Sequence, residues 1–178
     1  RSGGFQGSIA GYYVDFSNRL LAYTNGSGIQ GNPVTLQNVG GVENYGAEAT
    51  ALYKITPPLS IFASYSYNHS EYKDDVLGAN GALITATRGK TVVDSPRHMA
   101  KGEIVYDDGR FLARVGADYM SKRYFTYTND RSVGDRVLVD ATIGYTIGDL
   151  GGLHGVRIEG SATNLLDKRY VSTIGSNG

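Results

Sequence analysis

Apolar and polar residues alternate with a period of two along most of this chain. In VLVDATIGYTI (137–147), Val137, Val139, Ala141, Ile143, Tyr145 and Ile147 share one side, opposite Leu138, Asp140, Thr142, Gly144 and Thr146. FLARVGADY sets Phe111, Ala113, Val115, Ala117 and Tyr119 against Leu112, Arg114, Gly116 and Asp118. YGAEATALYKI sets Tyr45, Ala47, Ala49, Ala51, Tyr53 and Ile55 against Gly46, Glu48, Thr50, Leu52 and Lys54. The alternation recurs over 59–67, 100–106 and 156–163. It is less clean in SIAGYYVDF, where Ala10, Tyr12, Val14 and Phe16 stand opposite Ile9, Gly11, Tyr13 and Asp15. A two-residue period over short runs predicts strands, seven of them here. Short turns are expected after Ile55, at 107–109 and at 148–155, and long links over 17–40, 70–96 and 128–135.

The apolar side is small in the middle of each strand and aromatic at its ends. A soluble sandwich core fills its middle with bulky side chains, because interdigitation has to occupy volume there. Hydrocarbon makes no such demand, and tyrosine is favoured where lipid meets water. Tyr45 and Tyr53, like Phe111 and Tyr119, lie eight residues apart. At ~3.3 Å per residue and a tilt near 45° that spans about 19 Å, close to a barrel's apolar band. The expected fold is therefore all-β, an antiparallel transmembrane β-barrel. Ala47, Ala49, Ala113, Val115, Val139, Ala141 and Ile143 are expected to face lipid. Asp15, Glu48, Lys54, Lys101, Glu103, Arg114, Asp118, Asp140, Arg157 and Glu159 are expected to line a wet or plugged lumen.

Composition narrows the function classes. Among 178 residues there are 25 Gly, 14 Tyr, no Trp and no Cys, with 17 basic and 17 acidic side chains. The balanced charge offers no field for nucleic acid. Absence of cysteine removes disulfide scaffolds and cysteine-based zinc sites. The opening RSGGFQGSIAGYY has no charged-then-apolar leader pattern, so no signal peptide is predicted. His69, His98 and His154 sit on separate segments without ligand spacing and read as solvated. GDLGGLHG (148–155) lacks the Lys-Ser/Thr of a phosphate loop and reads as a turn. No catalytic residue, metal site or directly bound cofactor is predicted. On the outward loops, Tyr23, Tyr72, Arg88, Lys90, Arg97, Arg123, Tyr124, Tyr127 and Arg131 combine basic and aromatic groups. Such a set suits an anionic ferric chelate through charge-assisted hydrogen bonds and ring contact, or simply a solvated rim.

Three blocks resemble TonB-dependent outer-membrane receptors of the siderophore type. NLLDKRY (164–170) is similar to that family's signature near the carboxyl end. NVGGVENYGAEATALYKITPPLSIFASYSYNHSEY (38–72) and SPRHMAKGEIVYDDG (95–109) resemble two further blocks, in the family's order. The resemblance implies a 22-stranded plugged barrel, of which residues 1–178 would be a carboxyl-terminal portion, with the plug domain, earlier strands and last strand absent. It implies a place in the bacterial outer membrane and the lumenal charges as plug contacts. It implies import of a scarce ligand, with energy delivered by TonB through a missing amino-terminal region. A ferric siderophore or other ferric chelate leads, ahead of cobalamin, nickel chelates and saccharides. The alternatives are a passive porin-like or structural barrel, and an outer-membrane hydrolase.

Overall fold

The computed structural model describes residues 4–24, 34–38, 40–78 and 80–174. Seven long strands form one antiparallel sheet: β1 (Gly4–Phe16), β4 (Val42–Lys54), β5 (Leu59–Tyr72), β8 (His98–Asp107), β9 (Phe111–Met120), β12 (Arg136–Leu150) and β13 (Leu153–Ala162). Spatial order follows chain order, so the sheet is an up-and-down meander. Three two-stranded ribbons decorate the long links: β2–β3 (Leu20–Thr24 with Val34–Asn38), β6–β7 (Val76–Leu77 with Leu83–Thr85) and β10–β11 (Arg123–Tyr124 with Ser132–Val133).

All seven expected strands are present, and the short and long connections alternate as expected. Two boundaries differ. The turn expected at 148–155 shrinks to Gly151 and Gly152, because β12 runs on through irregular register shifts between Thr146 and Leu150. Both turn glycines have positive φ, 56° and 88°, as a two-residue hairpin of the primed kind demands. The third long link starts at Ser121 rather than 128, since β9 ends at Met120.

Residues paired directly across neighbouring strands share a face. Along one line run Ile9, Ala49, Tyr65, Ala100, Tyr119 and Val137. Along another run Tyr106, Ala113, Ile143 and Gly160. The seven residues expected to face lipid therefore all share one side of the sheet. That side exposes Ile9 at 87% and Ile143 at 62%, an apolar surface that water would not tolerate over seven strands. The opposite side carries Glu48, Lys54, Lys101, Glu103, Arg114, Asp118, Asp140, Arg157 and Glu159 together.

Asp15 departs from that set. Its partner is Glu43, and Tyr13 pairs with Tyr45, so β1 turns Phe5, Ile9, Tyr13 and Asp15 to the aromatic-tipped face. Tyr12 faces the charged side instead. The flaw lay in a strand apolar on both faces, where alternation alone cannot choose. A signal was available: Phe5 and Tyr13 are eight residues apart, the same spacing as Tyr53 and Tyr45, which they oppose.

The Tyr12 ring crosses its neighbouring strand at Gly46. Its hydroxyl donates to Asn68 Oδ1 (2.8 Å), and Asn68 Nδ2 donates to Ser95 Oγ (2.7 Å). A Cβ at Gly46 would stand 2.5 Å from that hydroxyl and would also strike the Tyr67 carbonyl. Gly46→Ala should therefore destabilise the intact protein by about 1–3 kcal/mol, as overpacking does. Gly160→Ala, whose added Cβ meets nothing within 4 Å, should be nearly neutral. Urea-unfolding midpoints of the two variants check the contrast.

Candidate functional site

The long links converge on one end of the sheet and build the molecule's one small apolar core among the described residues. Val42 and Tyr72, each 1% exposed, close on Val92, and Tyr127 packs edge-on against Tyr72 with ring centroids 6.2 Å apart. Glycine makes the close approach possible. Gly40 has φ +78°, and a Cβ there would meet Asp74 Cβ at 2.5 Å. The Asp74 carboxylate accepts the Gly41 amide (2.8 Å), while the Lys73 amide donates to the Gly41 carbonyl (2.9 Å). Gly40 and Gly41 are thus the seat on which the next loop rests.

Loop 73–97 continues the β5 edge instead of leaving it. Tyr72 and Lys90 pair through N–H to O=C at 2.9 Å, Val92 donates to Ser70 at 3.0 Å, and the buried Thr87 hydroxyl donates to the Asp74 carbonyl at 2.7 Å. Loop 121–135 is then fastened to it. Asn129 accepts the Thr91 amide (2.7 Å) and donates to the Thr91 carbonyl (2.9 Å), copying a strand partner with its side chain. Asn129 has φ +59°, a conformation asparagine tolerates. The Asp94 amide donates to the Tyr124 carbonyl (2.9 Å), and Arg123 Nη1 donates to Asp94 Oδ1 (2.8 Å). Arg123 Nη2 reaches the Val171 carbonyl (2.8 Å), tying in the segment after β13.

That segment holds NLLDKRY. Asn164 (φ 52°) accepts the Lys168 amide and donates to its carbonyl, at 3.0 and 3.2 Å, and its own amide donates to Asp140 (2.8 Å). Arg136 bridges Asp118 at 3.6 Å and lies 4.9 Å from the Tyr170 ring centroid.

The expected loop groups therefore divide. Tyr72 and Arg123 are buried at 1% and 6%, which withdraws them as capture groups; they hold the loops together, and the half-buried Tyr127 does the same work. Arg88, Arg97 and Arg131 are exposed, Lys90 and Tyr124 half-buried. Tyr23 belongs to β2, and its side chain lies outside the described residues. Most loop acids point inward as acceptors: Asp74 to Gly41, Asp75 to the Arg88 amide (2.8 Å), Asp94 to Arg123 and Asp130 to Thr126 and Thr128. The Thr128 hydroxyl, with that of Thr126 beside it, holds the Asp130 carboxyl below the ordinary carboxylate range. Two histidines are less solvated than expected. His69 stacks on Tyr45 (4.5 Å) beside Glu71 (3.3 Å), and His98 meets the Tyr65 hydroxyl at 2.7 Å.

On the charged face the ions are neighbours of opposite sign. Arg157 bridges Glu159 at 2.7 Å, Arg114 lies 3.9 Å from Glu103, and Lys101 opposes Asp118 across β8 and β9.

A seven-stranded meander with one apolar, tyrosine-edged face and one ion-paired face is matched by known proteins. The profile of the TonB-dependent receptor-like β-barrel matches residues 1–165. The chain belongs to that family. It is 30% identical over 136 residues to the ferrioxamine receptor of Yersinia enterocolitica, covering 75% of this chain and 18% of that protein. It is 26% identical over 169 residues to the ferrichrome outer membrane transporter/phage receptor of Escherichia coli K12, covering 91% and 20%. In solved structures its fold superposes on the siderophore receptor PiuA of Acinetobacter baumannii with a TM-score of 0.73 at 24% identity, covering 93% of this chain and 22% of that one. The chain spans about a fifth of the length of the curated relatives it matches.

The fastening of loop to loop gives a direct expectation. Asn129→Ala removes the two hydrogen bonds to Thr91, worth about 1 kcal/mol each, together with a longer one to the Thr126 carbonyl (3.3 Å), and should speed amide exchange at Thr91 and Asp94 by at least about tenfold. Exchange at the sheet centre, near Ala49 and Val115, should stay unchanged. Hydrogen-exchange mass spectrometry separates the two regions.

Proposed function

We propose that the protein to which this chain belongs is a bacterial outer-membrane receptor that binds a ferric siderophore or related ferric chelate and imports it with energy transmitted by TonB. Membership of the receptor family is the observation that carries this reading. The named functions of similar proteins, ferrioxamine and ferrichrome receptors, support a ferric chelate as cargo. A family of transport receptors likewise supports a non-enzymatic role.

The two faces of the sheet fit the same task. Alanine, valine and isoleucine between two tyrosine rows suit hydrocarbon between two interfaces. The ion-paired face suits a lumen in which a plug domain can be held by polar contacts and released without exposing apolar surface. The exposed cations at the loop ends are the groups that would meet an incoming chelate. Iron itself is cargo, and no resident metal is required of these residues.

Uptake of radiolabelled ferric chelates by cells carrying the full-length gene tests the reading. Import should vanish when TonB is deleted, whereas binding to the surface should persist. A passive, porin-like barrel would show TonB-independent entry. Facing is tested separately. Ala141→Arg should impair membrane insertion by about 2–4 kcal/mol if it lies near the midplane, and Thr142→Arg by much less. Equal penalties in a detergent-to-vesicle folding titration would reverse the assignment of faces.

A further inference from the structure

Where loops 73–97 and 121–135 meet the strand ends lies a solvent-open pocket of about 250 Å³. Arg97 and Lys122 line it, with His98 and the hydroxyl-bearing Ser95, Ser121 and Tyr124. No carboxylate lines it. Among the described residues neither Arg97 nor Lys122 has an acid within ion-pair distance. The nearest loop acid in sequence, Asp94, is committed to Arg123 (2.8 Å). Lys122 instead lies 5.1 Å from the Tyr124 ring centroid, which leaves its three donors without an anion. The Arg97 carbonyl accepts the Asn68 amide (2.9 Å), which places Arg97 opposite Asn68 on the charged side of the sheet. His98 already meets Tyr65, and its amide donates to Ser121 Oγ (3.0 Å), so the floor is fixed by the strands.

A preformed pocket with two uncompensated cations and several hydroxyls is complementary to an anion. Its volume admits an acidic arm of a ligand and falls well short of a whole chelate. We infer that this pocket is an anion subsite that seats an acidic arm of the cargo, so the receptor selects ferric chelates bearing free carboxylate or phosphate groups over uncharged or cationic hydroxamate chelates. The inference rests on the receptor reading for its cargo, and on the pocket alone for its anion. The charge is delivered by two segments that Asn129 and Asp94 already hold together, so binding requires little ordering of the site.

The test uses the full-length receptor in detergent, titrated calorimetrically with a polycarboxylate ferric chelate, a trihydroxamate ferric chelate and iron-free inorganic phosphate. In Arg97→Gln/Lys122→Gln the polycarboxylate chelate should bind about tenfold or more weakly, from loss of charge-assisted hydrogen bonds, and phosphate binding should disappear. Trihydroxamate binding should change by less than about twofold, and the wild-type preference should shrink with added salt. Arg110→Gln, which removes one positive charge in the short turn at the opposite end of the sheet, controls for overall charge and should alter nothing. Equal affinities of wild type and double variant for both acidic probes overturn the subsite. If neither ferric chelate binds wild type while phosphate binds and is lost in the double variant, the subsite stands and the receptor reading falls.

Discussion

Unbroken antiparallel pairing governs this structure. From β1 to β13 each long strand lies beside the next in chain order, with register running continuously over 13 pairs between β1 and β4 and again between β4 and β5. Once that register is set, the two-residue side-chain period leaves no freedom. Ala49, Val115 and Ile143 go to one face, and Glu48, Lys101 and Arg114 go to the other. A slip of one residue in any strand would put Glu48 or Arg114 among the tyrosines. The turns protect the register: Gly151 and Gly152 at one hairpin, and at another the Asp108 carboxylate, which accepts the Arg110 and Phe111 amides (2.9 and 2.7 Å).

The sheet carries almost no buried core, so the conventional source of stability is displaced to the loops. Val42, Tyr72, Val92 and Tyr127 form a small hydrophobic knot at the end where chain connections are long. Around it, side chains take over the role of backbone: Asn129 pairs with Thr91 as a strand would, and Thr87 and Arg123 satisfy carbonyls that lack ladder partners. The outcome is a cap that is ordered before any ligand arrives. Asp74, Asp75, Asp94 and Asp130 are spent on internal bonds, while Arg88, Arg97, Lys122 and Arg131 are left at the surface.

Period and composition made the sheet legible from the chain alone. Seven strands, their short and long connections, and the division of sixteen of seventeen assigned residues between two sides of the sheet followed from alternation and from tyrosines spaced eight apart. Asp15 did not, because Ile9 and Tyr13 alternate with equally apolar Ala10, Tyr12 and Val14, and only pairing with β4 breaks that tie. Loop chemistry was harder to read. Tyr72 and Arg123 look like ligand groups in a list of basic and aromatic residues, yet each is buried by contacts more than ten residues away in sequence. Lys122 escaped attention for the opposite reason: as a lone cation after β9 it gains meaning only from the pocket it shares with Arg97.

Fastening two loops into one body also bears on how such receptors can be rebuilt. A graft that carried residues 73–97 alone into another scaffold would bring Thr91 without the asparagine that reads its backbone, and Asp94 without its arginine. The transplantable module is the pair of loops with Tyr72 beneath them. The exposed tip at 80–82 between β6 and β7 touches neither fastening and is a place where sequence can vary or a foreign epitope be displayed.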